Sequence, residues 1–231
     1  MNMTYEKPDE NFNRADFLIR KAAKGGCDTV VLPEMWSTGF LPTSNFEALL
    51  DKDCELVKSQ IGSLARELNI NIVAGSVANI RNGKRYNTAC VFDRSGKLVL
   101  EYDKTNLFYP MSEDRYFTAG NSPCVFTLDG IKCSVIICFD IRFDNPVKIA
   151  SENSNLVFTV SQWPNVRVNQ LEALAKAHAE KYGVYYAVCN SCGTAGETVY
   201  GGSSLFCGKD GKIIAKAGET EEILTADILF D

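Results

Sequence analysis

Residues 131–142 read IKCSVIICFDIR, and this stretch determines how the rest of the chain is interpreted. Its apolar residues 135–137 predict a buried β-strand, and polar residues begin directly after it at Cys138. A thiol at the mouth of a buried strand is held rigidly and can still reach a pocket. Cys138 is therefore the first candidate functional residue, although a cysteine at a strand end is, taken alone, more often a simple core residue.

Two charged residues elsewhere in the chain follow similar apolar runs. Glu34 comes after residues 30–33, and Lys104 comes after the strand-like segment Leu98–Asp103. Hydrolysis through an acyl-enzyme on cysteine needs a nucleophile, a proton carrier and a positive charge for the developing oxyanion. A loop carboxylate and a solvated ammonium are the plainer readings of Glu34 and Lys104 taken singly. Together with Cys138 they predict a catalytic site where strands give way to loops.

Strand and helix patterns alternate on both sides of this stretch. Apolar residues recur at helical spacing in residues 11–25, 57–68, 146–151 and 171–179. Strand-like runs cover residues 29–32, 70–80, 85–92, 124–128, 131–138, 156–161, 184–188, 200–207 and 212–215, with hairpin turns at Asn82-Gly83 and Asp129-Gly130. Strand pairs interleaved with helices predict an α/β fold of two mixed sheets packed together and covered outside by helices.

Three segments occur in an order that matches a known family. Residues 32–36 (LPEMW), 101–104 (EYDK) and 137–143 (ICFDIRF) resemble the Glu-Lys-Cys triad motifs of the nitrilase (carbon-nitrogen hydrolase) superfamily. The similarity runs through nearly the whole chain and is closest to the bacterial omega-amidase-like branch. It implies one carbon-nitrogen hydrolase domain over residues 1–231, folded as a four-layer α-β-β-α sandwich without the family's usual first strand and C-terminal tail.

The resemblance also implies a role for each catalytic residue. Cys138 would attack the amide carbonyl carbon and form a thioester, Glu34 would act as acid and base, and Lys104 would stabilise the oxyanion. Glu113, in residues 112–120 (SEDRYFTAG), occupies the place of the family's second glutamate and would orient Lys104 or the substrate. The predicted reaction hydrolyses a small amide to ammonia and a carboxylate, and it needs no metal or organic cofactor.

Five residues beside these segments are predicted to bind the substrate: Phe40, Phe139, Arg142, Trp163 and Arg167. A guanidinium binds a carboxylate through two parallel hydrogen bonds, so the two arginines predict an omega-amide of a keto or dicarboxylic acid. Arg142 has an alternative role, because an arginine at that place in the family often braces the loop after the nucleophile. Arg167 is the better candidate for substrate recognition.

Other interpretations remain open at this point. The triad alone does not separate an amidase from a nitrilase or an N-carbamoyl hydrolase. A catalytically impaired binding or scaffold homologue is also compatible, because Ala177, Lys181 and Gly202 depart from the family pattern. His178, the only histidine, is the sole possible partner for a Cys-His mechanism. Its place on the apolar side of a helix favours a structural role instead.

Composition and charge bear on the partners and the compartment. The formal net charge of −5 arises from interspersed signs, which argues against a nucleic-acid surface. No apolar run approaches 20 residues and the chain start has no signal-peptide pattern, so a cytoplasmic protein without a membrane partner is predicted. The nine scattered cysteines predict free thiols in a reducing compartment. The CxxC pair Cys189 and Cys192 lacks nearby ligands for a zinc site.

The predicted partners are a small-molecule amide and a second copy of the chain. Relatives commonly pair through the helices that follow the nucleophile and the Trp-Pro segment, here residues 146–151 and 171–182. Apolar residues 184–186 and the apolar face of the second helix predict more apolar surface than one sheet covers. A two-fold homodimer through these helices is therefore predicted.

Overall fold

A computed structural model of the chain describes residues 1–41, 46–121 and 124–230. The helices are α1 (Pro8–Lys24), α2 (Glu55–Leu68), α3 (Asp144–Glu152) and α4 (Val168–Tyr182). The strands are β1 (Thr29–Val31), β2 (Asp51–Lys52), β3 (Asn71–Arg81), β4 (Lys84–Phe92), β5 (Leu98–Asp103), β6 (Val125–Leu128), β7 (Ile131–Ile137), β8 (Leu156–Ser161), β9 (Tyr185–Asn190), β10 (Cys192–Ala195), β11 (Thr198–Gly201), β12 (Leu205–Cys207) and β13 (Ile213–Lys216).

These strands form two large mixed sheets and a separate hairpin. The first sheet has the order β1-β3-β4-β5; β1 and β2 both run parallel to β3, and the other pairs are antiparallel. The second sheet has the order β13-β12-β9-β8-β7-β6, in which β7, β8 and β9 are parallel. Strands β10 and β11 make the antiparallel hairpin. The predicted pair of mixed sheets is confirmed.

Alternating side chains of the first sheet enter two different apolar clusters. Ile72 on β3 and Phe92 on β4 pack with residues of α1 and α2. Their neighbours Val73 and Val91 pack with the second sheet, whose cluster also contains the buried residues of α3 and α4. Because successive side chains of a strand point to opposite faces, this alternation produces four layers, helix, sheet, sheet and helix. The predicted α-β-β-α sandwich is confirmed.

The first helix shows how local chemistry sets an element's ends. Helix α1 begins at Pro8, earlier than the predicted residue 11, because the fixed φ of proline suits the first helical turn. It ends where the Gly25 N–H donates to the Ala22 carbonyl at 2.9 Å. Between them Phe12, Ala15 and Ile19 recur at helical spacing and are buried in one apolar cluster with residues of the first sheet.

The prediction of one strand over residues 200–207 is wrong. Gly202 has a φ of 54° and Ser203 a φ of 56°, and these left-handed conformations break the extended backbone. The chain therefore leaves the β10–β11 hairpin after Gly201 and enters the second sheet only at Leu205. Strand β10, which contains Cys192, was not predicted either.

The beginning of the chain packs beside the hairpin and near the first strand. Asn2 forms an isolated parallel bridge with Cys192. In the described sheets β1 pairs with β3 alone, and a cavity of about 130 Å³ lies between β1 and β9.

None of the helices in the described ranges combines the length and the apolar character needed to cross a membrane.

Candidate active site

Glu34 lies in a tight turn directly after β1, and β3 holds this turn in place. The Ser76 N–H donates to the Pro33 carbonyl at 3.2 Å, and the Met35 N–H donates to the Ser76 hydroxyl at 3.1 Å. Gly75 permits this approach, because a Cβ on it would lie 2.0 Å from the Pro33 carbonyl oxygen. Glu34 is thereby fully buried, with its carboxylate fixed between the sheets.

Lys104 follows β5 and places its ammonium between two carboxylates. Its Nζ donates to Glu34 Oε1 at 2.9 Å and to Glu113 Oε2 at 2.9 Å. All three side chains have 0% exposure. Glu113 begins a short 3₁₀-helix, Glu113–Arg115, in the loop after Lys104. The structure thus brings these three predicted residues into one buried ion cluster.

Cys138 directly follows strand β7 and begins a 3₁₀-helix, Cys138–Arg142. Its φ of 48° is a left-handed conformation that costs a non-glycine residue roughly 1 kcal/mol or more. The sharp turn aims the thiol at the Glu34 carboxylate, with which it forms a hydrogen bond. All four residues predicted to be catalytic therefore meet at one place.

Asp140 links the Cys138 turn to the segment after Lys104, a role that was not predicted from the sequence. Its buried carboxylate accepts from the Ile137 N–H at 3.1 Å, the Tyr102 hydroxyl at 2.9 Å and the Asn106 N–H at 2.8 Å. A buried carboxylate persists only with such partners. Its position just after a buried strand is the feature of the sequence that could have indicated this role.

Asn87 on β4 was also missed. Its Nδ2 donates to Glu34 Oε1 at 2.9 Å and to Glu113 Oε1 at 3.2 Å, so one amide orients both glutamates. The Gln162 backbone N–H adds a donor to Glu34 Oε2 at 3.0 Å. An asparagine inside an otherwise buried strand indicates that its amide forms hydrogen bonds with buried partners. Its position in the sequence does not identify those partners.

Burial and the local charges shift the pKa values of this cluster. Burial raises the pKa of Glu34, although the Lys104 charge opposes the change. Burial disfavours the Lys104 ammonium, yet the two glutamates outweigh it and raise the Lys104 pKa. Burial and the Glu34 charge raise the pKa of the Cys138 thiol. The resting site therefore holds a protonated thiol against a carboxylate of increased basicity.

A cavity of about 400 Å³ opens at Glu34 and Cys138. The residues predicted to bind substrate all line it: Phe40, Phe139, Arg142, Trp163 and Arg167. The tip of the β10–β11 hairpin adds Glu197, Thr198 and Val199, which the sequence analysis did not identify. Aromatic walls with a few charged groups suit a small ligand that is held by one polar end.

The two arginines of the cavity differ in how they are held. The Arg142 guanidinium lies 4.7 Å from the centre of the Trp163 ring and donates to Gln170 Oε1 at 2.6 Å. The Arg167 guanidinium lies 5.6 Å from the centre of the Phe108 ring. A contact with a ring uses the flat face of the guanidinium and leaves its N–H edges available for an anion.

His178 supports the turn after Cys138 from the outer helix layer. Its Nε2 lies 2.9 Å from the Ile141 carbonyl oxygen, which can only accept, so the ring nitrogen donates. Burial lowers the pKa of this half-buried histidine. His178 is not among the described residues that line the cavity. The geometry agrees with the structural reading of this residue.

A family model for carbon-nitrogen hydrolases matches residues 1–231. The chain belongs to the carbon-nitrogen hydrolase family. The enzyme class predicted from the motifs is thereby confirmed.

Relatives of this carbon-nitrogen hydrolase include named amidases. The 2-oxoglutaramate amidase of Bacillus subtilis (strain 168) is 36% identical over 228 residues, covering 98% of this chain and 87% of the relative. Omega-amidase NIT2 of Xenopus tropicalis is 30% identical over 229 residues, covering 95% and 83%. The solved NitN amidase of Nesterenkonia sp. AN1 superposes with a TM-score of 0.89 at 24% identity, covering 99% and 90% of the two chains. The reaction is hydrolysis of an amide carbon–nitrogen bond.

Proposed function

We propose that this carbon-nitrogen hydrolase acts on a small amide whose far end carries a carboxylate, such as an omega-amide of a keto or dicarboxylic acid. The observation that carries this proposal is the presence of Arg142 and Arg167 in the same cavity as Cys138. The guanidinium groups match a carboxylate in charge and geometry. The names of the relatives, 2-oxoglutaramate amidase and omega-amidase, support the same substrate class.

In the proposed first half-reaction Glu34 takes the proton of the Cys138 thiol, and the thiolate attacks the amide carbon. The Lys104 ammonium has three N–H donors; in this scheme one binds Glu34 Oε1 and a second is shared between the two Glu113 oxygens, which lie at 3.1 and 2.9 Å. The third donor and the backbone N–H of Phe139 would stabilise the oxyanion. Glu34 then gives its proton to the departing nitrogen, which leaves as ammonia, and Cys138 holds the acyl group as a thioester.

In the second half-reaction Glu34 takes a proton from water, and the resulting hydroxide attacks the thioester carbon. The carbon–sulfur bond breaks, the carboxylic acid product leaves and the Cys138 thiol recovers its proton from Glu34. Glu113 keeps Lys104 charged and in place throughout, since it makes two of the ammonium's contacts, at 2.9 and 3.1 Å. This makes Glu113 a positioning residue.

Substitution of Arg167 tests the substrate proposal. Arg167→Gln should raise KM for an omega-amide that bears a far carboxylate by about 10- to 100-fold, because a charge-assisted contact is lost, while kcat stays similar. The uncharged amide of the same length should show no such change. Arg66→Gln, an exposed change on α2, serves as the control. Equal KM values for wild type and Arg167→Gln with the charged amide would refute the assignment.

An ammonia-release assay measures the preference for amides over nitriles and N-carbamoyl compounds. Wild-type protein is incubated with amides, nitriles and N-carbamoyl compounds that share one acyl skeleton. Release from the amide with little from the other two is expected. Faster release from a nitrile or carbamoyl compound would replace the proposed substrate class while leaving the family membership unaffected.

The acid limb of the pH profile reports the state of Glu34. Because burial raises its pKa above the usual 4.5, Glu34 becomes protonated at a higher pH than an exposed glutamate does. A protonated Glu34 cannot accept the thiol proton, so kcat/KM should fall toward acid with an apparent pKa above 4.5. Fluorescence over the same pH range shows that the fold persists. A limb at or below the ordinary glutamate value would contradict Glu34 as the base.

We also propose that the chain acts as one domain in the cytoplasm. The nine free cysteines support a reducing compartment.

We further propose that the chain pairs as a homodimer through α3 and α4. Ile149 on α3 is 44% exposed and Phe143 before it is 37% exposed, which supports an interface there. Light scattering at micromolar concentration should give about twice the 25.5 kDa chain mass. A monomer throughout would count against the interface.

The sequence argument for that dimer, based on apolar residues 184–186 and the apolar face of α4, receives little support from the burial of several of these side chains. Residues on α4 and β9 were expected to leave apolar surface uncovered. Instead Leu171 is 1% exposed, Val184 5% and Tyr186 0%. The second sheet and α4 pack these side chains against one another within the chain, so the dimer proposal rests on the α3 residues.

A further inference from the structure

A second cluster of reactive side chains lies on the other side of the first sheet, outside the catalytic cavity. Cys54 stands at the start of α2, Cys90 lies on β4 and Glu101 lies on β5. Their two sulfur atoms and a carboxylate oxygen all lie within 4.8 Å of one another. In the described part of the chain, no other group of three His, Cys, Asp or Glu side chains is this compact.

We propose that Cys54, Cys90 and Glu101 form a binding site for a thiophilic divalent cation of the zinc class. Zinc binds thiolate sulfur at about 2.3 Å and carboxylate oxygen at about 2.1 Å, which places neighbouring ligand atoms roughly 3.5 Å apart in a tetrahedron. The observed spacing of up to 4.8 Å requires side-chain shifts of only about 1 Å. Water supplies the fourth ligand.

The burial of the three groups differs in a way that suits a cation site. Cys54 is 0% exposed and Cys90 1% exposed, while the Glu101 side chain is 25% exposed. A cation therefore enters along Glu101 and finds sulfur ligands shielded from water. Thiolate ligands select zinc or cadmium over magnesium and calcium, which prefer oxygen.

The charges around the cluster remain balanced when a cation binds. Two thiol protons leave as one doubly charged ion arrives, so the net charge of the site does not change. Lys58 Nζ lies 2.7 Å from Glu101 Oε1, and Arg81 Nη1 lies 3.2 Å from Oε2. A carboxylate has about four lone-pair positions, so Glu101 can bind a cation and keep these partners.

The site joins three elements that meet on the outer face of the first sheet. Cys54 directly precedes the first turn of α2. A bound cation would link α2 to β4 and β5 and stabilise the folded state by mass action. Its expected effect is on thermal stability, with the amidase residues untouched.

Cadmium titration of the metal-free protein tests the proposal. One equivalent should produce the ultraviolet thiolate-to-cadmium absorbance band and raise Tm, and zinc should compete for the same site. Cys54→Ser and Cys90→Ser should each weaken binding by at least about 10-fold. Cys133→Ser, a buried thiol of the second sheet, is the matched control and should bind like wild type. Binding should also persist in Cys138→Ala, which removes the active-site thiol.

Two outcomes would overturn the site. One is the absence of saturable one-to-one binding, and the other is unchanged binding in Cys54→Ser or Cys90→Ser. If either serine variant fails to fold, X-ray absorption of the cadmium-loaded wild type decides the matter. Two sulfur ligands with oxygen completing the shell support the proposal, whereas a shell of oxygen alone refutes it.

Discussion

Replacing Cys138 by Ala should lower kcat/KM for an amide by at least about 10³-fold, because the attacking atom is removed. The fold should remain, since alanine and cysteine adopt the φ of 48° at similar cost. Cys138→Ser should be nearly as inactive, because a hydroxyl is much harder to ionise than a thiol. Ammonia release measures the rate, and circular dichroism reports the fold.

The control for this experiment is Cys133→Ala, which removes a buried thiol far from the cavity. It should keep wild-type turnover. Near-normal activity in Cys138→Ala would refute the thioester mechanism. Loss of activity in His178→Ala with the fold preserved would instead point to a Cys-His scheme.

Replacing Lys104 by Met should damage activity and stability together. Within residues 1–41, 46–121 and 124–230, the Lys104 ammonium is the cation that pairs with both Glu34 and Glu113, whose side chains are 0% exposed. Without it two buried carboxylates face each other uncompensated, which should lower the free energy of unfolding by about 3–5 kcal/mol. Turnover should fall by at least about 10²-fold, because an oxyanion donor is lost. Urea unfolding and ammonia release give the two values.

Two further variants separate the loss of stability from the loss of turnover. Lys132→Met removes an exposed lysine of β7 and should change the free energy of unfolding by less than about 0.5 kcal/mol. The double change Lys104→Met with Glu113→Gln removes the charge conflict and should recover most of the stability without recovering turnover. Recovery of turnover in the double variant would contradict an oxyanion role for Lys104.

Several features were predictable because they depend on local pattern. Glu34, Lys104 and Cys138 each follow a run that is apolar enough to be a buried strand. The alternating apolar residues of β3 and β4 likewise predict a sheet with two covered faces. These patterns can be recognised within about ten residues of sequence, which is the range over which hydrophobic periodicity predicts secondary structure.

Other features could not be read from local pattern. Asn87 sits inside a strand, and its two carboxylate partners lie 53 and 26 residues away along the chain. Residues 200–207 were predicted to form one strand, yet two consecutive left-handed residues divide the segment. The conformation of Ser203 is set by the backbone it packs against, since its own preference is for negative φ.

The cysteines show the same division. The scattered positions of the nine cysteines predicted free thiols, and all nine are free in the structure. That Cys54 and Cys90 converge with Glu101 depends on how α2 packs over β4 and β5. No periodicity in the sequence predicts that these three side chains lie close together.

By itself the sequence determined the kinds of elements, the two-sheet architecture and the identity of the charged and nucleophilic residues at the strand ends. The tertiary structure alone decided which of these residues touch. Lys104 meets Glu34 across 70 residues of chain because β1 and β5 belong to one sheet, and Cys138 joins them from the other. Local propensity extends over a few turns of chain, whereas the contacts of the site depend on how two complete sheets pack face to face.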